Sequence, residues 1–207
     1  MSDGTDHDDG HGHDDHGHGG DDGDHSHDGH GGHDHGGHDH SHDDHHAHDL
    51  DTLGYAVVTV SSSRGHEDDT AGDAIESAVE AAGDEVVVRE VVADDFDGVQ
   101  GTVDRLVDRE DVDCVVTTGG TGVTPDDVTV EAVTPLFDKE LPGFGELFRS
   151  LSREEIGTMV VGTRATAGVA GGVPVFCLPG SENAARLGSE EIVVEEAGHL
   201  AGLARRE

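Results

Sequence analysis

Residues 113–122 read DCVVTTGGTG, a short apolar run that leads directly into a glycine-rich turn. The continuous run of small and β-branched residues predicts a strand that is covered on both faces. Two adjacent glycines and a third two positions later predict a tight turn with close backbone approach. A buried strand that passes through such a turn towards a helix is typical of an α/β fold, so this stretch decides the fold class.

Strand and helix patterns alternate on both sides of this stretch. The strands are predicted at Tyr55–Ser61, Glu85–Val92, Asp113–Thr118, Met159–Gly162 and Val173–Leu178. The helices are predicted over Thr70–Ala82 with Gly83 as C-cap, around Val99–Val107, from about Asp127 to Phe137, from Gly143 onwards and over Glu182–Leu203. This alternation predicts a mostly parallel sheet with helices on both faces.

The first 49 residues have a different composition from the rest of the 207-residue chain. They contain 16 His, 15 Asp and 12 Gly, and only Met1 and Ala47 are apolar. Such a segment cannot bury enough apolar surface to offset the entropy cost of ordering. We therefore predict a disordered tail over residues 1–49 and a single folded domain over residues 50–207.

The charge of the chain excludes several classes of partner. Of the net charge of −36, −15 lies in the first 49 residues and −21 in the rest, where Lys139 is the single lysine. The sequence therefore predicts binding neither to nucleic acid nor to an anionic membrane. No apolar run approaches the roughly 18–20 residues of a membrane span, and no signal-peptide pattern opens the chain, so we expect a cytoplasmic protein.

The acidic, lysine-poor composition also predicts a halophilic source. Concentrated salt screens the repulsion between like charges, which would otherwise oppose the compact state. We expect the domain to lose its far-ultraviolet circular dichroism signal when KCl is diluted from molar to millimolar concentration. A chain that stays folded in millimolar salt would contradict this expectation.

The two cysteines are predicted to be buried strand residues. Cys114 and Cys177 each sit within a short apolar run, and their spacing fits no metal-ligand pattern.

The polar loops that follow the strands predict the place of a functional site. These loops are 61–69, 94–95, 119–127 and 179–183. Ligands of parallel sheets bind beyond the carboxyl ends of the strands, so we expect the four loops to meet at one edge.

The loop Gly119–Gly122 has the residue types of a phosphate cradle, because glycine backbone N–H groups can approach an anion closely. The loop matches neither the Walker A pattern nor GxGxxG, so a purely structural turn remains an alternative. Asp94 and Asp127 follow neighbouring strands, and carboxylates beside a phosphate cradle suit a Mg²⁺–phosphate complex. A purely structural role stays open as the alternative for each aspartate: a solvated turn for Asp94 and a helix N-cap for Asp127.

Four segments together resemble the MoaB/Mog family of molybdenum cofactor biosynthesis proteins, in particular its MoaB branch. They are VSSSRGHEDDTAG at 60–72, TTGGTGVTPDDVTVEA at 117–132, ELPGFGELFR at 140–149 and LPGS at 178–181. The resemblance implies a three-layer α/β/α sandwich, a homotrimer or hexamer, and Mg-ATP-dependent adenylylation of molybdopterin with release of pyrophosphate. It also implies a downstream metal-insertion protein as a possible partner. A catalytically silent molybdopterin-binding or scaffold protein is the alternative.

The resemblance also implies roles for individual residues. Asp94 and Asp127 match the family's essential carboxylates, with Asp127 as the Mg²⁺ ligand. The residues that match phosphate- or substrate-binding positions are Ser61, Ser62, Asp69, Thr70, Gly72, Thr118, Gly119, Gly120, Thr121, Gly122, Thr163, Arg164, Pro179, Gly180 and Ser181. Thr163 stands where the family usually has serine, and Val130 stands where it usually has proline.

The histidines of the tail predict a separate metal site. Imidazole is a good ligand for Zn²⁺, Ni²⁺ and Cu²⁺, so groups such as His45, His46 and His48 are candidate ligands. The alternative is a soluble low-complexity extension with no metal function.

Overall fold

The computed structural model describes residues 52–62 and 68–206 and forms one six-stranded sheet from them. The strands are β1 (Gly54–Val60), β2 (Glu85–Val92), β3 (Cys114–Thr118), β4 (Lys139–Glu140), β5 (Thr166–Ala170) and β6 (Val173–Leu178). Their order is β2-β1-β3-β6-β5-β4. The pairings among β2, β1, β3 and β6 are parallel, whereas β5 is antiparallel to both of its neighbours. The predicted tail, with His45, His46 and His48, lies outside the described residues.

Helices follow the strands in the order that the sequence predicts. They are α1 (Thr70–Ala82), α2 (Phe96–Val107), α3 (Thr129–Val133), α4 (Pro142–Ile156), α5 (Glu182–Gly188) and α6 (Val194–Ala204). A π-helical turn, Ser189–Val193, connects α5 to α6, so the predicted C-terminal helix is confirmed as one helical run with a local π turn.

Alternate residues of the strands pack into two separate apolar clusters, one on each face of the sheet. Tyr55 and Val57 of β1 belong to the cluster that includes side chains of α1, α4, α5 and α6. Ala56 and Val58 belong to the cluster that includes side chains of α2 and α3. The fold is therefore a three-layer α/β/α sandwich with a mostly parallel sheet, as predicted.

Helix α1 has the predicted bounds because capping residues fix both ends. The side chain of Asp69 accepts a hydrogen bond from the Gly72 N–H at the first turn. At the other end Gly83 adopts φ 91°, and its N–H donates to carbonyl groups of the last turn.

Both cysteines lie in the centre of the sheet, as predicted. Cys114 and Cys177 are fully buried in β3 and β6. Burial raises the pKa of Cys177 to about 12 and raises the pKa of Cys114 well above its usual value. Both thiols therefore remain protonated.

The helix predicted from Asp127 to Phe137 is wrong in its extent. Helix α3 begins only at Thr129 and gives way to a 3₁₀ turn, Thr134–Leu136, that contains Pro135. Proline lacks an N–H and disfavours the helical conformation of the residue before it, which explains the early end. At the start of the predicted helix, the Asp127 carboxylate accepts a hydrogen bond from the N–H of Thr124, three residues earlier, and does not cap the helix.

The strand predicted at Met159–Gly162 is also wrong, because Gly157–Gly162 forms a 3₁₀ helix. Met159 and Val161 are 73% and 83% exposed, so this short apolar run is not core. The strand in this region is β5, whose Ala and Gly residues have weak strand propensity and gave no signal. It pairs with β6 through a turn in which Gly171 and Gly172 both have positive φ, at 56° and 81°.

In the part of the chain that the structure describes, none of the helices has the length and apolar character needed to cross a membrane.

Candidate functional site

A cavity of about 540 Å³ opens at the carboxyl ends of β1, β2, β3 and β6. The predicted site residues that line it are Ser61, Asp94, Gly119, Gly120, Thr121, Gly122, Asp127, Thr163, Pro179, Gly180 and Ser181. The loops after four strands therefore meet at one edge of the sheet, as the sequence predicts. Met159 and Gly162, which the sequence analysis placed in a strand, also line the cavity.

Two glycines of the turn that lines the cavity, Gly119 and Gly120, have no room for a side chain. Gly119 has φ 101°, and a Cβ atom there would come within 2.3 Å of the Val60 carbonyl oxygen. Gly120 has φ 65°, and its Cβ would come within 2.2 Å of Thr129 Oγ1. The Thr129 hydroxyl donates to the Gly119 carbonyl at 2.8 Å and stabilises the turn. These contacts explain why both positions need glycine.

The carboxylate of Asp127 is held by its own loop at the edge of the cavity. Its Oδ2 accepts hydrogen bonds from the N–H and the hydroxyl of Thr124, each at 2.7 Å. Partial desolvation raises the pKa of Asp127, but hydrogen bonds from Thr124 and Gly122 outweigh this effect, and the net pKa is lowered. Asp127 is therefore an ionised carboxylate in the cavity wall. The alternative role as a helix N-cap is wrong, because Val128 holds that position without a side-chain bond.

The second cavity carboxylate, Asp94, is tied to the end of β1. Its Oδ2 accepts from the Ser62 N–H at 2.6 Å, and its own N–H donates to Ser62 Oγ at 3.1 Å. This reciprocal pair connects the loops that follow two adjacent strands. Ser62 itself does not line the cavity, so the structure places it where it orients Asp94.

Asp69, Thr70 and Gly72 lie at the start of α1 and do not line the cavity. Asp69 is fully buried and accepts from Thr59 Oγ1 at 2.7 Å and from Arg89 Nη2 at 3.0 Å. Desolvation raises the pKa of Asp69, yet hydrogen bonds from Gly72, Thr59 and Arg89 together lower it. A Cβ atom on Gly72 would come within 2.1 Å of Asp69 Oδ2. Asp69 therefore holds the first turn of α1 through the Gly72 N–H and connects it to β1 and β2 through Thr59 and Arg89.

Two further predicted residues act on the walls of the cavity from outside it. The buried Thr118 hydroxyl donates to the Pro179 carbonyl at 2.9 Å and joins the loops after β3 and β6. Arg164 does not line the cavity. Its guanidinium donates to the backbone carbonyls of Gly122 and Asp127 and pairs with Glu131, a residue that the sequence analysis did not single out.

The arrangement of these groups suits a magnesium-bound phosphate ester. Backbone N–H groups of a glycine turn at the end of a strand can bind phosphate oxygens. Asp94 and Asp127 supply carboxylate oxygens in the same cavity. Mg²⁺ usually takes one or two carboxylates together with substrate phosphates and water, so this donor set fits that cation.

A mostly parallel three-layer sandwich, with a glycine turn and two carboxylates in one cavity at its carboxyl edge, defines the class of α/β proteins whose ligand cavity lies beyond the strand ends. Residues 56–199 match the family described as a probable molybdopterin binding domain. The chain belongs to this family.

Known relatives agree with this assignment. The chain is 44% identical over 145 residues to molybdenum cofactor biosynthesis protein B of Bacillus subtilis, covering 70% of this chain and 85% of that protein. It is 39% identical over 160 residues to a probable molybdopterin adenylyltransferase of Methanocaldococcus jannaschii, covering 74% of this chain and 94% of that protein. The crystal structure of the tungsten cofactor synthesizing protein MoaB from Pyrococcus furiosus superimposes with a TM-score of 0.69 at 42% identity, over 76% of this chain and 99% of that one. The resemblance to the MoaB/Mog family is confirmed.

Proposed function

We propose that the chain is a molybdopterin adenylyltransferase that transfers AMP from Mg-ATP to the terminal phosphate of molybdopterin. The observation that carries the proposal is the single cavity that combines the glycine cradle with Asp94 and Asp127. The name of the Methanocaldococcus relative, a probable molybdopterin adenylyltransferase, supports the same reaction.

The proposed reaction is an in-line displacement at the α-phosphorus of ATP. A phosphate oxygen of molybdopterin forms the new P–O bond, the bond from the α-phosphorus to the bridging oxygen breaks, and pyrophosphate leaves with that oxygen. Such a transfer depends mainly on positioning and on charge neutralisation, and it needs no protein nucleophile.

The residues of the cavity divide this work between them. The N–H groups of Gly120 and Thr121 in the Gly119–Gly122 turn bind phosphate oxygens, because glycine lets the ligand approach the backbone closely. The N–H groups of Gly119 and Gly122 donate instead to the Leu178 carbonyl and to the Asp127 carboxylate. Asp94 and Asp127 would hold Mg²⁺, which would neutralise phosphate charge when bound. Thr163 and Ser181 line the same cavity, and we assign them to the pterin side of the ligand.

The competing function is a catalytically silent molybdopterin-binding or scaffold protein, which would use the same cavity. The two are separated by pyrophosphate release from the full chain in molar KCl, with Mg-ATP and with or without molybdopterin. Release that requires the pterin supports the enzyme. Tight pterin binding without release contradicts it and makes the chain a carrier.

We also propose a homotrimeric or hexameric assembly. A second cavity, of about 300 Å³, is lined mainly by apolar residues of the β4–α4 segment and of α6, and its lining residue Leu147 is 47% exposed. Burial of this surface between copies of the chain would stabilise an assembly. Light scattering on the same preparation should give the mass of three or six chains, whereas a monomer would contradict this proposal.

A separate proposal concerns metal binding by the first 49 residues, and it rests on their 16 histidines. We expect the full chain to bind several Zn²⁺ or Ni²⁺ ions with micromolar or tighter affinity at pH 7.5, and a chain without residues 1–49 to lose this binding. Because only neutral imidazole is a ligand, we expect the metal to be released below about pH 6. Calorimetric titration of both chains measures this, and millimolar affinity in the full chain would contradict the proposal.

A further inference from the structure

Arg164 holds the backbone of the cavity loop at three carbonyl groups. Its guanidinium donates from Nε to the Gly122 carbonyl at 2.6 Å and from Nη2 to the Asp127 carbonyl at 3.1 Å. Its own backbone N–H donates to the Thr121 carbonyl at 3.0 Å. One residue therefore fixes the first half of the loop and the peptide group that follows the cavity carboxylate.

Glu131 holds the guanidinium of Arg164 in the orientation that these bonds require. Arg164 Nη1 and Nη2 donate to the two carboxylate oxygens of Glu131, the second at 3.2 Å. A fork of this kind restrains the plane of the guanidinium as well as its position. Glu131 also balances the positive charge of Arg164 behind the loop.

We infer that the Arg164–Glu131 pair is a positioning device for the phosphate-binding loop, an inference that rests on the proposed function. A planar peptide group directs its N–H opposite to its carbonyl. When Arg164 holds the Thr121 carbonyl, the direction of the Gly122 N–H that follows is fixed as well, and this N–H donates to the Asp127 carboxylate. Glu131 acts through Arg164 and does not contact the ligand, and the pair sets the affinity of the loop for Mg-ATP through the position of Asp127.

If Arg164 bound phosphate directly, removal of Glu131 would change the affinity for phosphate in the opposite direction. The described guanidinium is engaged with two carbonyls and a carboxylate, and Arg164 is not part of the cavity wall. If Arg164 turned to bind phosphate, Glu131 would compete with the ligand, and its removal would tighten binding. If the pair positions the loop, removal of Glu131 weakens binding. The sign of the change therefore separates the two roles.

The test compares Glu131→Gln with wild type in the full chain. Glutamine keeps one acceptor but loses the charge and the second strong hydrogen bond. We expect KM for ATP to rise about tenfold with kcat within about twofold of wild type, as is typical when a residue that orients a binding group is lost. Arg164→Lys should raise KM in the same direction, because a lysine ammonium cannot replace the bidentate fork.

Amide hydrogen exchange gives a second readout that does not depend on turnover. The Thr124 N–H donates to Asp127 Oδ2, and the Asp127 N–H donates to the Thr124 carbonyl at 3.1 Å, so both amides report on the closed loop. Their exchange should be about tenfold faster in Glu131→Gln than in wild type, because the loop opens more often.

The chain contains a matched control pair. Arg105 and Glu90 form a comparable ion pair, in which Arg105 Nη2 donates to both carboxylate oxygens at 3.0 and 2.8 Å, with side-chain exposures of 52% and 34%, against 34% for Arg164 and 52% for Glu131. Glu90→Gln should leave KM and the exchange of Thr124 and Asp127 unchanged.

The inference is overturned if Glu131→Gln lowers KM or leaves the exchange of Thr124 and Asp127 unchanged. If wild type shows no turnover, the proposed function fails, while the exchange and the dissociation constant of Mg-ATP still decide the role of the pair.

Discussion

Replacement of Asp127 by asparagine is expected to lower kcat for pterin-dependent pyrophosphate release by about a thousandfold. Asparagine has nearly the same shape and can still accept the hydrogen bonds from Thr124, so the loop should keep its form. What is lost is the negative charge, which a Mg²⁺ site needs. Loss of a metal ligand in phosphoryl chemistry removes several kcal/mol of charge stabilisation, and about 4 kcal/mol corresponds to this factor.

The neighbouring carboxylate supplies the control for this experiment. Asp126 is exposed and does not line the cavity, so Asp126→Asn should keep wild-type kcat. Both variants should melt within a few degrees of wild type in molar KCl. If Asp127→Asn kept more than about a tenth of the wild-type rate, the assignment of Asp127 as the metal ligand would be wrong. Loss of pterin binding in both variants would indicate a general effect of charge.

Replacement of Gly119 by alanine is expected to damage both stability and ligand binding. The positive φ of 101° is strained for any residue with a Cβ, and the added methyl group would come within 2.3 Å of the Val60 carbonyl oxygen. Strain of this kind costs about 3 kcal/mol. For a domain of this size the melting temperature should fall by about 6–12 °C. The shifted turn should also lose most of its affinity for Mg-ATP, because the N–H groups no longer meet one anion.

A glycine of the neighbouring helix is the matched control. Gly101 lies in α2, and a Cβ atom there would have no heavy atom within 4 Å. Gly101→Ala should stabilise the domain by about 0.5–1 kcal/mol through the better helix propensity of alanine. Differential scanning calorimetry and titration with Mg-ATP measure both variants. Equal melting temperatures for Gly119→Ala and Gly101→Ala would show that the turn is not constrained as described.

Local signals account for the parts of the fold that the sequence predicted well. Helix α1 was predicted with its observed bounds because its apolar spacing and its C-cap Gly83 agree, and the structure adds Asp69 as the N-cap. The β3–Gly119 junction was predicted because a buried run and a glycine turn stand next to each other. The region 157–170 was not, because the exposed Val161 resembles a strand residue and β5 is built from small residues.

The sequence predicts which edge of the sheet holds the candidate site. It does not predict the role of each aspartate there. Asp69, Asp94 and Asp127 all follow strands, and the sequence treated all three as site residues. Only the tertiary structure shows that Asp69 is buried against Arg89, whereas the other two line the cavity. Asp69 and Asp94 have hydrogen-bond partners far away in the sequence, Arg89 and Ser62. Asp127 bonds to Thr124 in its own loop, whose course is set by packing. No local pattern contains that information.

The burial of both thiols has a practical consequence for studies of the cavity in solution. Cys114 and Cys177 are the two cysteines of the chain, and both are fully buried with raised pKa values. Because thiolates are the species that react with maleimides, the native chain offers these reagents no accessible target. A cysteine placed at the exposed Val161, close to the cavity residue Gly162, would carry a single fluorophore. Its emission would follow the occupancy of the cavity in real time without any change to the wild-type cysteines.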